Sequence, residues 1–147
     1  MIKHCSLLDH RGWLPLRNAL WSDSSLELDA ETENLLRTPT QYQVLTFTDE
    51  FENVVGFAES SIRVDYVNGT SSTPVAFLEG LYVQPASRGS GVARQLMGAV
   101  EQWARQMGSS ELASDALLDN RASHAMHEAL GFAETERVVY FLKRLQG

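Results

Sequence analysis

The stretch that most constrains this chain runs from residue 75 to residue 115. It opens with Val75, Phe77, Glu79, Leu81 and Val83 in strict alternation, the period of a strand. Pro85, Gly89 and Gly91 then break the pattern. Val92, Leu96, Ala99, Val100, Trp103 and Met107 recur at helical spacing, and Gly108 ends the helix. Residues 112–115 read as a short strand. A strand, a helix and a second strand in one span make a crossover, and a crossover pairs its two strands in parallel. The chain must therefore build a sheet with a local parallel pair.

The remaining elements surround that unit. Residues 2–6 suit a first strand. Asp9 is a candidate cap for a helix over 10–20, where Trp13, Leu16, Arg17 and Leu20 share a face. A second helix is expected from about 28 to 37, before Thr38-Pro39. Residues 43–48 and 54–66 read as strands, and Asn68-Gly69 as a turn. A last helix starts at Asp119 or Asn120 and ends at Leu130, with Gly131 in the left-handed cap position. A closing strand or strand pair is expected over 132–145. The fold class is α/β (α+β): a mixed central sheet with helices on both faces. With 147 residues and no linker, a single domain over 1–147 is expected.

Composition narrows the function. The formal net charge is −7, which disfavours nucleic acid and anionic membranes as partners and suits a cationic ligand, although acidity also serves solubility. No apolar run could span a bilayer, and the N-terminus lacks the apolar stretch of a secretory signal. Cys5 is the only cysteine, so no internal disulfide forms. A cytoplasmic location is the expectation. Four scattered His and one Cys lack metal-ligand spacing, so no metal is expected.

The loop at residues 88–93 carries the chemistry. The first turn of a helix has backbone N–H groups without partners and a partial positive charge. Gly89 and Gly91 allow close approach of the backbone to an anion, and Arg88 adds a full charge. Such a construction can cradle a pyrophosphate, or it can be an ordinary tight turn into a helix. It is neither a P-loop, since no Gly-Lys-Ser/Thr follows, nor a dinucleotide fingerprint, which fails at Arg94.

The wider pattern is more specific. Val83-x-Pro85-x-x-Arg88-x-x-Gly91-Val92-Ala93-x-x-Leu96 resembles the acetyl-CoA motif of the GNAT acetyltransferase superfamily. Asn120-x-x-Ser123-x-x-x-His127-x-x-x-Gly131-Phe132 is similar to the second motif of that superfamily. The segments 65–69, 77–83, 113–115 and 131–138 resemble aminoglycoside 6′-N-acetyltransferases. The resemblance runs over most of the chain from about Val55; before that it rests on little more than Leu20-Trp21. It implies the GNAT fold, in which the cofactor lies between two splayed parallel strands, with acetyl-CoA as co-substrate and an aminoglycoside or another cationic amine as acceptor.

Transfer from a thioester to an amine needs removal of a proton from the ammonium, stabilisation of the negative oxygen of the tetrahedral intermediate, and a held geometry. Asp115 and Glu79 are the candidate acceptors of that proton, Asp115 directly and Glu79 through a water. Glu79 would lie on the strand leading to the loop and Asp115 at the carboxyl end of its parallel neighbour, where open α/β sheets place ligands, so both would flank the cleft. Either carboxylate could instead bind ligand ammonium groups.

The resemblance implies that Tyr66 and Glu136 also line the amine pocket. Trp21 is a candidate pocket wall or a core residue, and Ser24 lies close by in sequence. For the cofactor, the resemblance assigns the backbone of Leu81, Tyr82 and Val83 to the pantetheine arm. It assigns Arg88, Gly89, Ser90, Gly91, Val92 and Ala93, with Arg94, to the pyrophosphate, and Asn120 to the pantetheine or thiol end. His127 stands where many members carry a Tyr credited with protonating the leaving thiolate. A His can donate that proton, or can simply hydrogen-bond along the helix. Relatives commonly form dimers, so a homodimer is expected by resemblance. The alternatives are a GNAT enzyme for a polyamine or peptide, and a CoA-binding module without catalysis.

Overall fold

Alternating apolar residues in the first half of the chain produce four strands, and the crossover supplies a fifth. The computed structural model describes residues 1–147. In chain order the elements are β1 (Ile2–His4), α1 (Trp13–Leu20), α2 (Ala30–Arg37), β2 (Tyr42–Thr48), β3 (Val54–Arg63), β4 (Val75–Val83), α3 (Val92–Gln106), β5 (Leu112–Ser114) and α4 (Arg121–Ala129). The sheet has the order β1-β2-β3-β4-β5. Its first three pairings are antiparallel, and β4 pairs β5 in parallel, as the crossover requires. Residues Met1–Asp115 and Ala116–Gly147 form two compact units.

Within the first unit the helices cover opposite faces of the sheet. Trp13 and Leu14 of α1 pack with Val44 and Phe57, joined by Trp21 and Tyr82. Val92, Leu96, Met97, Val100, Trp103 and Ala104 of α3 are buried. Trp103 and Ala104 cluster with Ala76, and Val92 and Leu96 lie against Gly56. Burying side chains of this size stabilises by about 1.5–3 kcal/mol each.

The register corrects the expected alternation of β4. Glu59 pairs with Gly80 and Ser60 with Leu78, so Glu79 is an extra residue, a β-bulge. Parity switches there. Val75 and Phe77 share their face with Gly80 and Tyr82, opposite Arg63, Ser61, Glu59 and Phe57, rather than with Leu81 and Val83.

Three other expectations change. The first helix begins at Trp13, not His10, and Asp9 does not cap it. Its N-cap is Gly12, in the left-handed region with φ 79°, where a Cβ would meet Val54 Cβ at 2.5 Å. β3 stops at Arg63 instead of reaching Tyr66, because the chain turns off through Val67, which is buried against Val75 and Phe77. In the second unit, no strand forms over 132–145: the unit holds α4 and no second strand to pair with. The cap of α4 is as expected. Gly131 is left-handed, its N–H bonds to Glu128 O, and Phe132 N–H bonds to His127 O.

The α2 N-terminus yields a stability prediction. Asp29 accepts from Thr32 N at 2.9 Å, and the Thr32 hydroxyl accepts from Asp29 N at 2.9 Å. The Thr32 N–H and the Thr32 hydroxyl, which donates to Asp29 Oδ1 at 2.8 Å, hold the Asp29 carboxyl below the ordinary 3.8. A depressed acid stabilises fully above its unfolded value and loses that contribution as pH falls through its folded value. Asp29→Ala should therefore lower the melting temperature at neutral pH, and the gap to wild type should narrow as the pH drops below 3.8. A pH-independent gap in thermal melts would contradict this.

Candidate functional site

The short length of β5 opens the sheet. β4 and β5 pair only at Ala76–Leu112, Phe77–Ala113 and Leu78–Ser114, while β4 continues to Val83 alongside β3. The edge of β4 facing β5 therefore has no strand partner through Leu81, Tyr82 and Val83. Ser114 Oγ closes the last paired position by donating to Leu78 O at 3.1 Å. Glu79 and Asp115 are the next residues on the two strands. β5 ends at Ser114, so Asp115 lies one residue beyond the strand expected for it, exposed at its carboxyl end. The Glu79 carboxylate accepts from Ser61 Oγ at 2.7 Å and Arg63 Nη2 at 2.8 Å.

The loop after β4 has the features of an anion cradle. Gly89 and Gly91 adopt φ of 81° and 87°, a region costly for most side chains, and a Cβ on either would find no heavy atom within 4 Å. The glycines thus serve backbone shape and leave open space. α3 follows with no side-chain cap, so the Val92 and Ala93 amides begin a helix of 15 residues at its positive end. Ser90 Oγ donates to Ser87 O at 2.7 Å and stiffens the loop. The Arg88 guanidinium turns back, with Nε donating to Val83 O at 2.7 Å and its carbon 5.5 Å from the Tyr82 ring centre. Arg94 lies in the first turn of α3. This cradle, with the partnerless edge of β4 leading to it, fits a long ligand that ends in a diphosphate.

On the α1 face lies a cleft of about 440 Å³. Trp21, Ser24 and Glu79 line it together with Asp23, Glu31 and Glu59, so four carboxylates face a single guanidinium, that of Arg17. The loop after α1 is pinned by Asn18 Nδ2 donating to Ser24 O at 2.7 Å and by Ser24 N donating to Trp21 O at 2.9 Å. The Ser24 hydroxyl is buried without a hydrogen-bond partner.

The sequence reading missed the core of this cleft. Arg17 Nε donates to Glu59 at 2.6 Å, Trp13 Nε1 donates to the same oxygen at 3.0 Å, and Arg17 Nη2 donates to Glu31 at 3.0 Å. Burial pushes the Glu59 carboxyl above its usual range despite Arg17 and Trp13. Burial also works against the Arg17 cation, but Glu59 and Glu31 outweigh it and hold the guanidinium charged. Two signals were available: Arg17 lies on the apolar stripe of its helix, and Glu59 interrupts an apolar strand.

The other expected residues lie elsewhere. Tyr66 is 74% exposed in the loop after β3 and is not a lining residue of the cleft. Asp115 is not a lining residue either. Asn120, His127 and Glu136 belong to the second unit. Asn120 Oδ1 accepts from Ser123 N at 3.2 Å and caps α4. His127 Nδ1 lies 2.7 Å from Ser123 O, so that nitrogen carries the proton, and the ring packs edge-on to Phe132. Glu136 is exposed in the irregular segment after α4. Cys5 offers no covalent route: burial, partly offset by a hydrogen bond with Thr46, pushes its thiol up to about 12. No helix is long and apolar enough to cross a membrane, and no three His, Cys, Asp or Glu side chains group as metal ligands.

Comparison with known proteins gives a consistent result. The profile of the Acetyltransferase (GNAT) family matches residues 10–132. The chain is 50% identical over 144 residues to an aminoglycoside N(6′)-acetyltransferase type 1 of Acinetobacter haemolyticus, covering 98% of both chains. Among solved structures it resembles the apo aminoglycoside 6′-N-acetyltransferase AAC(6′)-IG of Acinetobacter haemolyticus, with TM-score 0.92, 48% identity and 99% of both chains covered. It also resembles AAC(6′)-Iy in complex with the bisubstrate analogue CoA-S-monomethyl-acetylneamine, with TM-score 0.88, 39% identity and coverage of 99% and 98%.

Proposed function

This chain belongs to the GNAT acetyltransferase family and, within it, to the type 1 aminoglycoside N(6′)-acetyltransferases, and from that premise we propose that it acetylates the 6′-amine of aminoglycoside antibiotics and so confers resistance. The observation that carries the proposal is the opening between β4 and β5. It has carboxylates at its mouth, an acidic cleft on one side and an uncapped helix start beyond it.

Acetyl-CoA supplies the activated acyl group as a thioester. The amides of Val92 and Ala93, with Gly89, Ser90, Gly91 and Arg94, receive its diphosphate. Arg88 adds charge there while its bond to Val83 O braces the loop. The edge of β4 at Leu81, Tyr82 and Val83, which has no strand partner on that side, offers strand-like hydrogen bonds to the pantetheine arm.

Trp21 and Ser24 contact the aminoglycoside, and the carboxylates of Glu79 and Asp115 draw its ammonium groups. Asp115 takes the proton that makes the amine a nucleophile. Glu79, held by Ser61 and Arg63, orients the amine and can pass a proton through water. Burial keeps the only cysteine as a thiol, which favours direct attack of the amine on the thioester over an acyl-cysteine route. His127 spends its Nδ1 proton on Ser123 O, so only the doubly protonated ring could serve as an acid through Nε2. CoA thiol release with kanamycin or tobramycin tests the function. No release with either, but release with polyamines or peptides, would move the enzyme to another amine class.

Both units act as one GNAT domain over 1–147, consistent with a family match that spans them. The enzyme works in the cytoplasm, where its co-substrate is made, as a homodimer. What supports the dimer is the apolar run after α4. Val139, Tyr140, Phe141, Leu142 and Leu145 are all at least 75% exposed, apolar side chains that a partner could cover. Light scattering should give twice the monomer mass, and Phe141→Glu should halve it. A monomeric wild type would contradict the assignment.

A further inference from the structure

Arg17 is a buried cation in a cleft built for a cation, and the mechanism above gives it no task. Four contacts fix it, one of them the Trp13 ring, whose centre lies 5.9 Å from the guanidinium carbon. Its Nε and Nη2 bond Glu59 at 2.6 Å and Glu31 at 3.0 Å, and its guanidinium carbon lies 5.0 Å from the centre of the Trp21 ring. Such an arrangement spends the charge on two carboxylates and leaves the guanidinium to attract an aromatic ring.

Trp21 is held from other sides as well. Its ring meets Phe57 edge-on at 6.1 Å. Its far edge lies on the backbone of Gly80, where a Cβ would come within 2.4 Å of Cη2 and 2.6 Å of Cζ2. Gly80 is opposite Glu59 in the sheet and follows the bulged Glu79. One constellation therefore joins the buried ion pair, the indole and the bulge. It fixes a flat apolar wall next to the carboxylate that meets the amine.

We infer that Arg17 is a positioning residue for the amine substrate: braced by Glu59 and Glu31, it holds the Trp21 indole over Gly80 as the wall of the cleft beside Glu79. The inference rests on the proposed function and goes beyond it by assigning the acceptor side of the reaction to a residue that need not touch the acceptor. Gly80 takes part by having no side chain. The acceptor chemistry it suits is an aminated sugar, whose ring face packs on the indole while its ammonium meets Glu79.

The test compares steady-state kinetics of folded variants. Removing Arg17 alone would strand a buried carboxylate, so Arg17→Met is made together with Glu59→Gln, which still accepts from Trp13 Nε1. The double variant should raise KM for the aminoglycoside about tenfold, with kcat and KM for acetyl-CoA within about twofold of wild type. In a Trp21→Ala background the same pair should add nothing, because its effect runs through the indole. Gly80→Ala, which displaces the indole directly, should give the same selective rise and decides the matter if the double variant does not fold.

An unchanged aminoglycoside KM in Gly80→Ala or in the folded double variant would overturn the inference, and so would an undiminished effect in the Trp21→Ala background. Wild-type turnover is the separate control. If wild type fails on every aminoglycoside, the proposed function falls. If wild type works and these variants match it, only the positioning role falls.

Discussion

Asp115→Asn is expected to lower kcat by about a hundredfold or more, the usual scale for losing a positioned base. The last parallel pair is Leu78–Ser114, so Asp115 and Glu79 occupy equivalent places where the strands part. Glu79 already accepts from Ser61 and Arg63, whereas Asp115 is exposed at the end of its strand. Asp115 therefore has its oxygens available to take the proton. Asparagine keeps the size and cannot take that proton. KM for acetyl-CoA should not change. The aminoglycoside KM should rise modestly, because one attracting charge is gone. Unchanged turnover would remove Asp115 from the role of base and pass it to Glu79.

A second large effect is expected from Gly91→Asp. Gly91 has φ 87°, a conformation that Asp tolerates better than most residues, and a Cβ there would touch nothing within 4 Å. The chain should therefore fold, with a melting temperature lowered by a few degrees for the backbone strain at this position. Its carboxylate would stand ahead of the Val92 and Ala93 amides, favoured there by the helix dipole, where the diphosphate is expected to bind. Losing two hydrogen bonds to a charged group costs about 3 kcal/mol or more, which corresponds to about a hundredfold in affinity. Calorimetry with acetyl-CoA should show that loss, while aminoglycoside binding stays near wild type. Undiminished acetyl-CoA affinity would place the diphosphate elsewhere.

Much of this architecture could be read from the residues because local signals agreed with one another. The crossover, the start of α3 at Val92 and the left-handed cap at Gly131 each follow from a period change or a glycine at a helix end. The bulge at Glu79 was not legible, because one inserted residue leaves the alternation of apolar side chains intact and only the pairing with β3 exposes it. The start of α1 was misread for a related reason. Asp9 looks like a cap, but the close approach of Gly12 to Val54 decides where the helix begins. Residues 132–145 have strand-like composition, yet a strand exists only with a partner. In the site, Glu79 and Asp115 were legible from their places on the strands. The Arg17–Glu59 pair was not, because the two residues are 42 apart in sequence and meet only through the packing of α1 on β3.

The most direct measurement is acetyl-CoA turnover on two aminoglycosides that differ only at the 6′ position, one with an amine and one with a hydroxyl. Thiol release with the amine and none above background with the hydroxyl is the expected result. Equal release from both, or release from neither alongside turnover of a polyamine, would contradict acetylation at the 6′-amine.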